Sequence, residues 1–286
     1  MMNMNDKEKS EFEEKVRKTI EDFHLIEKGD KVLVACSGGK DSTTCLYLLK
    51  KFGYNVEGLT IDLLIGQWSK ENLDNLKIFC DKEGIKLHTI SIRDEFGYSI
   101  CYIRSIIQSK HDLSNCTICG VIKRWLLNKK AREIGATKIA TGHNLDDEAE
   151  TVLMNISTGN VMLGLRLGPK TGILHSEKFI PRIKPMYYLT NAEIRAYSEA
   201  MNFPVLYDPC PCAVDSFRHL VRRHLKTLEA EKPGTKRQIV DTFLEMIPIV
   251  KDYYKPGKGV KICELCGEPS SKNICKTCNL IQLLRS

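Results

Sequence analysis

The run Val32-Leu33-Val34-Ala35-Cys36-Ser37-Gly38-Gly39-Lys40-Asp41-Ser42 constrains this chain more than any other stretch. Its first half is apolar and β-prone, and its second half holds two glycines flanked by serines. Thr44, Leu46, Leu48 and Leu49 follow at helical spacing, so the order reads strand, tight turn, helix N-terminus. Such a junction aims several backbone N–H groups and the positive end of a helix dipole at one point, which suits an anion. Gly38 and Gly39 let the backbone approach that anion. Ser37 and Ser42 add hydroxyl donors, and Asp41 suits a Mg²⁺ bridging phosphates. Neither the G-x-x-x-x-G-K-[ST] nor the G-x-G-x-x-G spacing is present.

Apolar runs with strand character recur at residues 56–65, 87–92 and 139–141, with helical patterns between them. One such pattern covers residues 73–83 and is closed by Gly84; another, at 6–25, carries Phe12, Val16, Ile20 and Phe23 on one face. This alternation predicts an α/β fold built on a doubly wound parallel sheet, which binds ligands at the carboxyl ends of its strands. The length of 286 residues accommodates one such domain plus small additions. The expected division is an N-terminal helix (1–29), a nucleotide-binding domain (30–212), a basic helical region (213–257) and a metal-binding tail (258–286). No apolar run approaches the ~20 residues of a membrane span. The charged opening residues lack the apolar core of a secretory signal, so a cytoplasmic location with no membrane partner is expected.

The fourth strand leads into Gly142-His143-Asn144-Leu145-Asp146-Asp147-Glu148-Ala149-Glu150. Carboxylates in a first helical turn complement the helix dipole. Two aspartates directly after a strand also suit a Mg²⁺-nucleotide at the Ser37 loop.

Twelve cysteines in such a compartment argue for metal ligation or thiol chemistry rather than disulfides. Cys36, Cys45, Cys80 and Cys101 stand alone within apolar or helical patterns and are expected to be buried. Cys116-x-x-Cys119 opens a helix, where it suits a redox pair, a sulfur carrier or half of a metal site. The stiff segment Asp208-Pro209-Cys210-Pro211-Cys212 adds further thiols. Three cysteines suffice for a [4Fe–4S] cluster with one iron open, and four would hold zinc or a closed cluster. The tail pattern Cys263-x2-Cys266-x8-Cys275-x2-Cys278 can set four thiolates around a structural Zn²⁺, a second cluster being the alternative.

Net charge is +7, and much of it gathers in a basic amphipathic helix expected from Asp215 to Lys236. Phe217, Leu220, Val221, Leu225 and Leu228 would form its apolar side; Arg218, Arg222, Arg223 and Lys226 would form a basic stripe. Lys236 and Arg237 follow it. The stripe suits nucleic-acid phosphates or a solvated surface.

The Ser37-Gly-Gly-Lys-Asp-Ser42 loop resembles that of the PP-loop ATP pyrophosphatases. With Ile61-Asp62-Leu63, Cys116-x-x-Cys119-Gly120, Gly142-His-Asn-Leu-Asp-Asp147-Glu148, Pro233-Gly-Thr-Lys236 and the four tail cysteines, the chain resembles the tRNA 2-thiouridine synthetases of the TtuA type. These are related to the cytosolic thiouridylases and more distantly to the TtcA type. The resemblance implies ATP-dependent adenylation of a tRNA base, most simply at uridine O2, and sulfur insertion at a three-cysteine [4Fe–4S] cluster. It implies cluster ligands at Cys116, Cys119 and Cys210. The implied ATP pocket comprises Ala35, Ser37, Gly38, Gly39, Lys40, Asp41, Ser42, Thr60, Ile61, Lys123, Gly142 and Asp147. Zinc at Cys263, Cys266, Cys275 and Cys278 is implied too. Lys123 and Asp147 carry catalytic expectations beside the three cysteines, and Arg218, Arg222, Arg223, Lys226, Lys236 and Arg237 carry the expectation of tRNA contact. A sulfur donor is required: inorganic sulfide, a persulfide or a ubiquitin-like carrier. A homodimer is compatible with the family. Residues 1–29 hold no cysteine where TtuA-type relatives open with a zinc finger, and Thr60 stands where relatives often carry His. Cys212 is left as a fourth ligand or a persulfide carrier. The rival reading is a PP-loop enzyme delivering sulfur or amine to a small-molecule carbonyl.

Overall fold

The computed structural model describes residues 4–171, 178–212, 217–254 and 260–285. Its centre is β1 (Val32–Cys36), whose side chains alternate between two cores. Val32, Val34 and Cys36 enter one apolar cluster; Leu33 enters the other, with Ala35 packed against it. A strand buried on both faces reads as a continuous apolar run, as β1 does.

Around it are β2 (Val56–Asp62), β3 (Leu87–Ser91), β4 (Lys138–Ala140), β5 (Lys170–Thr171) and β6 (Arg182–Ile183). The sheet order is β3-β2-β1-β4-β6-β5, with only the edge strand β5 antiparallel. The chain leaves β1 towards β2 on one side and returns as β4 on the other. The β1/β4 boundary is therefore the topological switch point, where such sheets open a crevice at the strands' carboxyl ends.

The helices are α1 (Asp6–Asp22), α2 (Lys40–Lys51), α3 (Gly66–Lys82), α4 (Ile92–Phe96), α5 (Ile100–Lys110), α6 (Asn115–Glu133), α7 (Leu145–Ser157), α8 (Val161–Gly164), α9 (Asn191–Ala200), α10 (Phe217–Glu231) and α11 (Thr235–Tyr254). The tail adds a hairpin of β7 (Lys261–Ile262) and β8 (Pro269–Ser270), then α12 (Lys276–Arg285). The apolar faces of α1, α2, α3 and α9 cover one side of the sheet, with Phe12 stacked on Tyr197 at 4.3 Å between ring centres. Those of α5 and α6 cover the other side, joined by Leu280 of α12. Each buried Leu or Ile contributes about 1.5–3 kcal/mol.

Two elements differ from the sequence reading. α3 begins at Gly66 rather than at Leu73. Positive φ at Leu64 and Gly66 turns the chain, and Ser69 Oγ accepts from the Ile65 N–H at 2.9 Å just before the uncapped first turn. α10 is rotated from its expected aspect. Val221 and Leu225 are buried, but Phe217 and Leu220 are exposed, and Arg218 and Arg222 face α7. The expected start of this helix at Asp215 lies outside the described residues.

Candidate active site and metal centres

β1 ends at Cys36 and α2 starts at Lys40, so residues 37–39 make the whole connection. Gly38 takes φ +81°, and a Cβ there would lie 2.8 Å from the Asn72 carbonyl oxygen, so only glycine fits. Gly39 is the N-cap of α2 and carries no side-chain cap, which leaves first-turn N–H groups to a ligand. Ser42 Oγ braces the loop, accepting from the Ser37 N–H at 3.1 Å and donating to the Gly39 carbonyl at 3.1 Å. Lys40 pairs with Asp41 at 2.7 Å.

The loop after β4 lies directly against this turn. A Cβ on Gly142 would stand 2.7 Å from the Asp41 carbonyl carbon. Asn144 Nδ2 donates to Asp41 Oδ1 at 3.2 Å. The same residue caps α7 in a reciprocal box: its Oδ1 accepts from the Asp147 N–H at 3.2 Å and its N–H donates to Asp147 Oδ2 at 3.3 Å. Asn144 thus ties Asp41 to Asp147, and its Asn-x-x-Asp spacing was the available signal for that role. Burial, then the negative charges of Glu150 and Asp41, push the Asp147 carboxyl up to about 6 against the pull of Arg218. Thr60 is buried opposite Cys36 in the β1–β2 register, and Ala35 and Ile61 pack against the second core nearby.

Every carboxylate in the first two turns of α7 meets a cation. Asp146 pairs with Lys236, and Glu148 with Lys184 at 2.6 Å. Glu150, 3% exposed, accepts from Arg222 at 2.6 Å and Arg218 at 3.0 Å. Arg218 also lies 3.8 Å from Asp147. Arg218, Arg222 and Lys236, expected in a phosphate-tracking stripe, are counter-ions of α7. The reason is that a buried Glu150 needs cationic partners, which apolar periodicity does not reveal. Arg237 pairs with Asp241 at 2.6 Å and lies 3.5 Å over the Tyr188 ring. Arg223 and Lys226 are exposed on the outer side of α10.

Cys116 sits in the first turn of α6, exposed, with Cys119 one turn on and half-buried. Cys119 is raised by burial, lowered by Arg104 and Lys123, and raised again by Cys116 and Cys210. Cys210 is likewise raised by burial, while Lys123 acts to lower it. The thiols of Cys116, Cys119 and Cys210, from two segments, thus act on one another electrostatically, and Cys119 and Cys210 both pack against the second core. Their donor set is all thiol, as an iron–sulfur cluster requires. Lys123 also acts on His143, an exposed residue of the β4–α7 loop whose Nδ1 lies 2.8 Å from Thr141 Oγ1. Arg104, on α5, was not anticipated: its Nη2 meets both Cys101 and Cys212 Sγ at 3.1 Å. Cys101, expected buried, is exposed.

In the tail, Cys263, Cys266, Cys275 and Cys278 offer sulfurs all within 4.8 Å of one another. The Cys266 and Cys275 sulfurs are 3.8 Å apart. Tetrahedral Zn–S bonds of about 2.3 Å require a spacing near that value, so the set fits zinc. The tail is anchored on α6, where Glu268 pairs with Arg132 and accepts from Asn128 at 3.1 Å.

A parallel sheet whose switch point carries an uncapped, serine-flanked Gly-Gly turn and two linked aspartates defines an ATP-binding protein of the PP-loop class. The PP-loop domain family profile matches residues 8–229. The chain is 38% identical to the tRNA-5-methyluridine(54) 2-sulfurtransferase of Pyrococcus horikoshii over 271 residues, covering 94% of this chain and 84% of that one. It is 34% identical to the cytoplasmic tRNA 2-thiolation protein 1 of Caenorhabditis elegans, covering 96% and 73%. The U34-tRNA thiolase NcsA of Methanococcus maripaludis, solved with its [4Fe-4S] cluster, superimposes with a TM-score of 0.78 at 28% identity, covering 96% of this chain and 87% of that one. The chain belongs to the tRNA 2-thiolation sulfurtransferase family of PP-loop proteins. Among the described residues, no helix is long and apolar enough to cross a membrane.

Proposed function

We propose that this protein is a cytoplasmic tRNA sulfurtransferase that adenylates O2 of a uridine and exchanges it for sulfur. The observation that carries the reading is the uncapped Ser37–Ser42 turn, tied through Asn144 to Asp41 and Asp147 at the switch point of a chain of the tRNA 2-thiolation family. A uracil carbonyl is a poor electrophile, and transfer of AMP to its oxygen makes that oxygen a good leaving group. The Ser37–Ser42 turn would take the ATP phosphates on the α2 N-terminus. Asp41 and Asp147 would hold Mg²⁺; a divalent cation offsets the burial and the repulsion that together raise the Asp147 carboxyl. Thr60 and Gly142 would border the nucleotide. Cys116, Cys119 and Cys210 would hold a [4Fe–4S] cluster, which supplies an iron site able to hold sulfur as an anion near the activated carbon. Lys123 would steady negative charge on the phosphate or on the incoming sulfur.

In this reading the catalytic unit spans 30–212, α10 and α11 pack on α7, and the four tail cysteines would hold Zn²⁺. Arg223 and Lys226, facing outward, would contact tRNA phosphates, whereas Arg218, Arg222 and Lys236 would act on tRNA through α7. Sulfide, a persulfide or a ubiquitin-like carrier would supply sulfur, to a monomer or a homodimer.

The test is an anaerobic reaction of unmodified tRNA with ATP, Mg²⁺ and sulfide, read as pyrophosphate release and as 2-thiouridine by nucleoside mass spectrometry. Asp147→Ala should lose both products with iron content unchanged. Removing a metal-nucleotide carboxylate costs on the order of 3 kcal/mol, roughly a hundredfold in rate. Cys119→Ala should lose iron and thiolation while still releasing pyrophosphate with tRNA. Thiolation by wild type without ATP would overturn the adenylation reading.

A further inference from the structure

Arg104 is 6% exposed on α5. Among the described residues, the acceptors its guanidinium finds are both sulfur: Nη2 meets Cys101 and Cys212, while Nε and Nη1 are buried without a partner. A buried guanidinium facing no carboxylate is costly unless an anion completes it. Cys212 is held in place by Asn115 Nδ2, which donates to its carbonyl at 3.5 Å. It is the sulfur beside the triplet that the cluster assignment does not use. Two idle donors, a fixed cationic fork and a spare thiol together make a site for a second sulfur atom. Arginine suits it better than lysine, because its donors sit in one rigid plane and it stays charged when buried.

We propose that Cys212 and Arg104 form a sulfur-loading site, in which Cys212 takes a sulfane sulfur from a persulfide donor and Arg104 holds the resulting persulfide. The Cys212 sulfur attacks the outer sulfur of the donor R–S–SH. The donor's S–S bond breaks as the Cys212 S–S bond forms, and R–SH leaves with the proton that Cys212 gives up. A sulfane sulfur changes carrier with no net oxidation or reduction. The terminal sulfur then accepts from one of the two idle donors of Arg104, Nε or Nη1. This deepens the thiolation reading by assigning the class of sulfur donor, and rests on it for purpose only.

Anaerobically purified full-length protein is treated with glutathione persulfide, without tRNA or ATP, then alkylated, digested and mapped by fragment mass spectrometry. One added sulfur is expected at Cys212. Arg104→Leu should lower that yield roughly tenfold, the effect of losing a charge-assisted hydrogen bond, and Arg104→Lys should recover part of it. Cys212→Ser should abolish the label and leave the iron content and visible spectrum unchanged. Equal labelling in Arg104→Leu, or label moving undiminished to another cysteine in Cys212→Ser, would overturn the proposal. So would iron loss in Cys212→Ser, which would make Cys212 a ligand. If Arg104→Leu fails to fold by circular dichroism, Arg104→Gln, which keeps donors but not charge, replaces it with the same expectation. Labelling without tRNA thiolation would sink the enzymatic reading alone; thiolation without labelling would sink this site alone.

Discussion

Asp147 shows at single-residue scale how a functional group is held at a cost. Its carboxyl titrates near 6 instead of 3.8, because burial and the charges of Glu150 and Asp41 disfavour ionisation. A carboxyl raised on folding binds its proton more tightly in the folded than in the unfolded chain. Stability contributed by that proton is complete at low pH and is lost as pH rises through the folded value. Asp147→Asn should therefore stabilise the metal- and nucleotide-free protein by about 1–2 kcal/mol at pH 8, discounted for partial exposure. The gain should fade as pH falls through 6 and vanish near 4. Denaturant melts at pH 4, 6 and 8 check this; a pH-independent gain would trace the effect to packing. Asn keeps an oxygen for the Asn144 N–H, so the α7 cap survives.

At the scale of an element, α10 carries two kinds of arginine one residue apart. Arg222 reaches inward to the buried Glu150, while Arg223 lies outward. Arg222→Ala should destabilise the fold by about 2 kcal/mol, since Glu150 keeps Arg218 but loses one partner. Arg223→Ala with Lys226→Ala should leave stability within about 0.5 kcal/mol. The latter pair should instead flatten the salt dependence of tRNA binding, by about 0.7–0.9 in the log–log slope per lost phosphate contact. Thermal melts and filter binding across salt concentrations separate the two; an unchanged slope would return the outer face of α10 to plain solvation.

Across the whole molecule, the tail is coupled to the sheet through α6. Leu280 enters the core under α5 and α6, and Glu268 joins Arg132 and Asn128. A short metal-tied segment draws most of its folding energy from its ion. Cys278→Ala should release one zinc and speed hydrogen exchange over residues 260–285. It should also raise exchange around Asn128 and Arg132, with iron content unaffected. Protection in the tail equal to wild type would show that packing alone holds it.

Local chemistry was legible in the chain from the start. The Gly-Gly turn, the strand–helix alternation and the paired knuckles of the tail depend on residues close in sequence. Their backbone geometry is set by steric rules and metal-ligand spacing that act over a few positions. What only the tertiary structure decided are the partners of buried charge. Glu150 finds Arg222 across 72 positions, and Arg104 finds Cys212 across 108. No local periodicity encodes either pair, so neither the inward reach of Arg222 nor the sulfur contacts of Arg104 are visible in the sequence. A charge taken out of water is steered by whichever opposite group the fold brings within hydrogen-bond reach, and that choice exists only once the sheet has assembled.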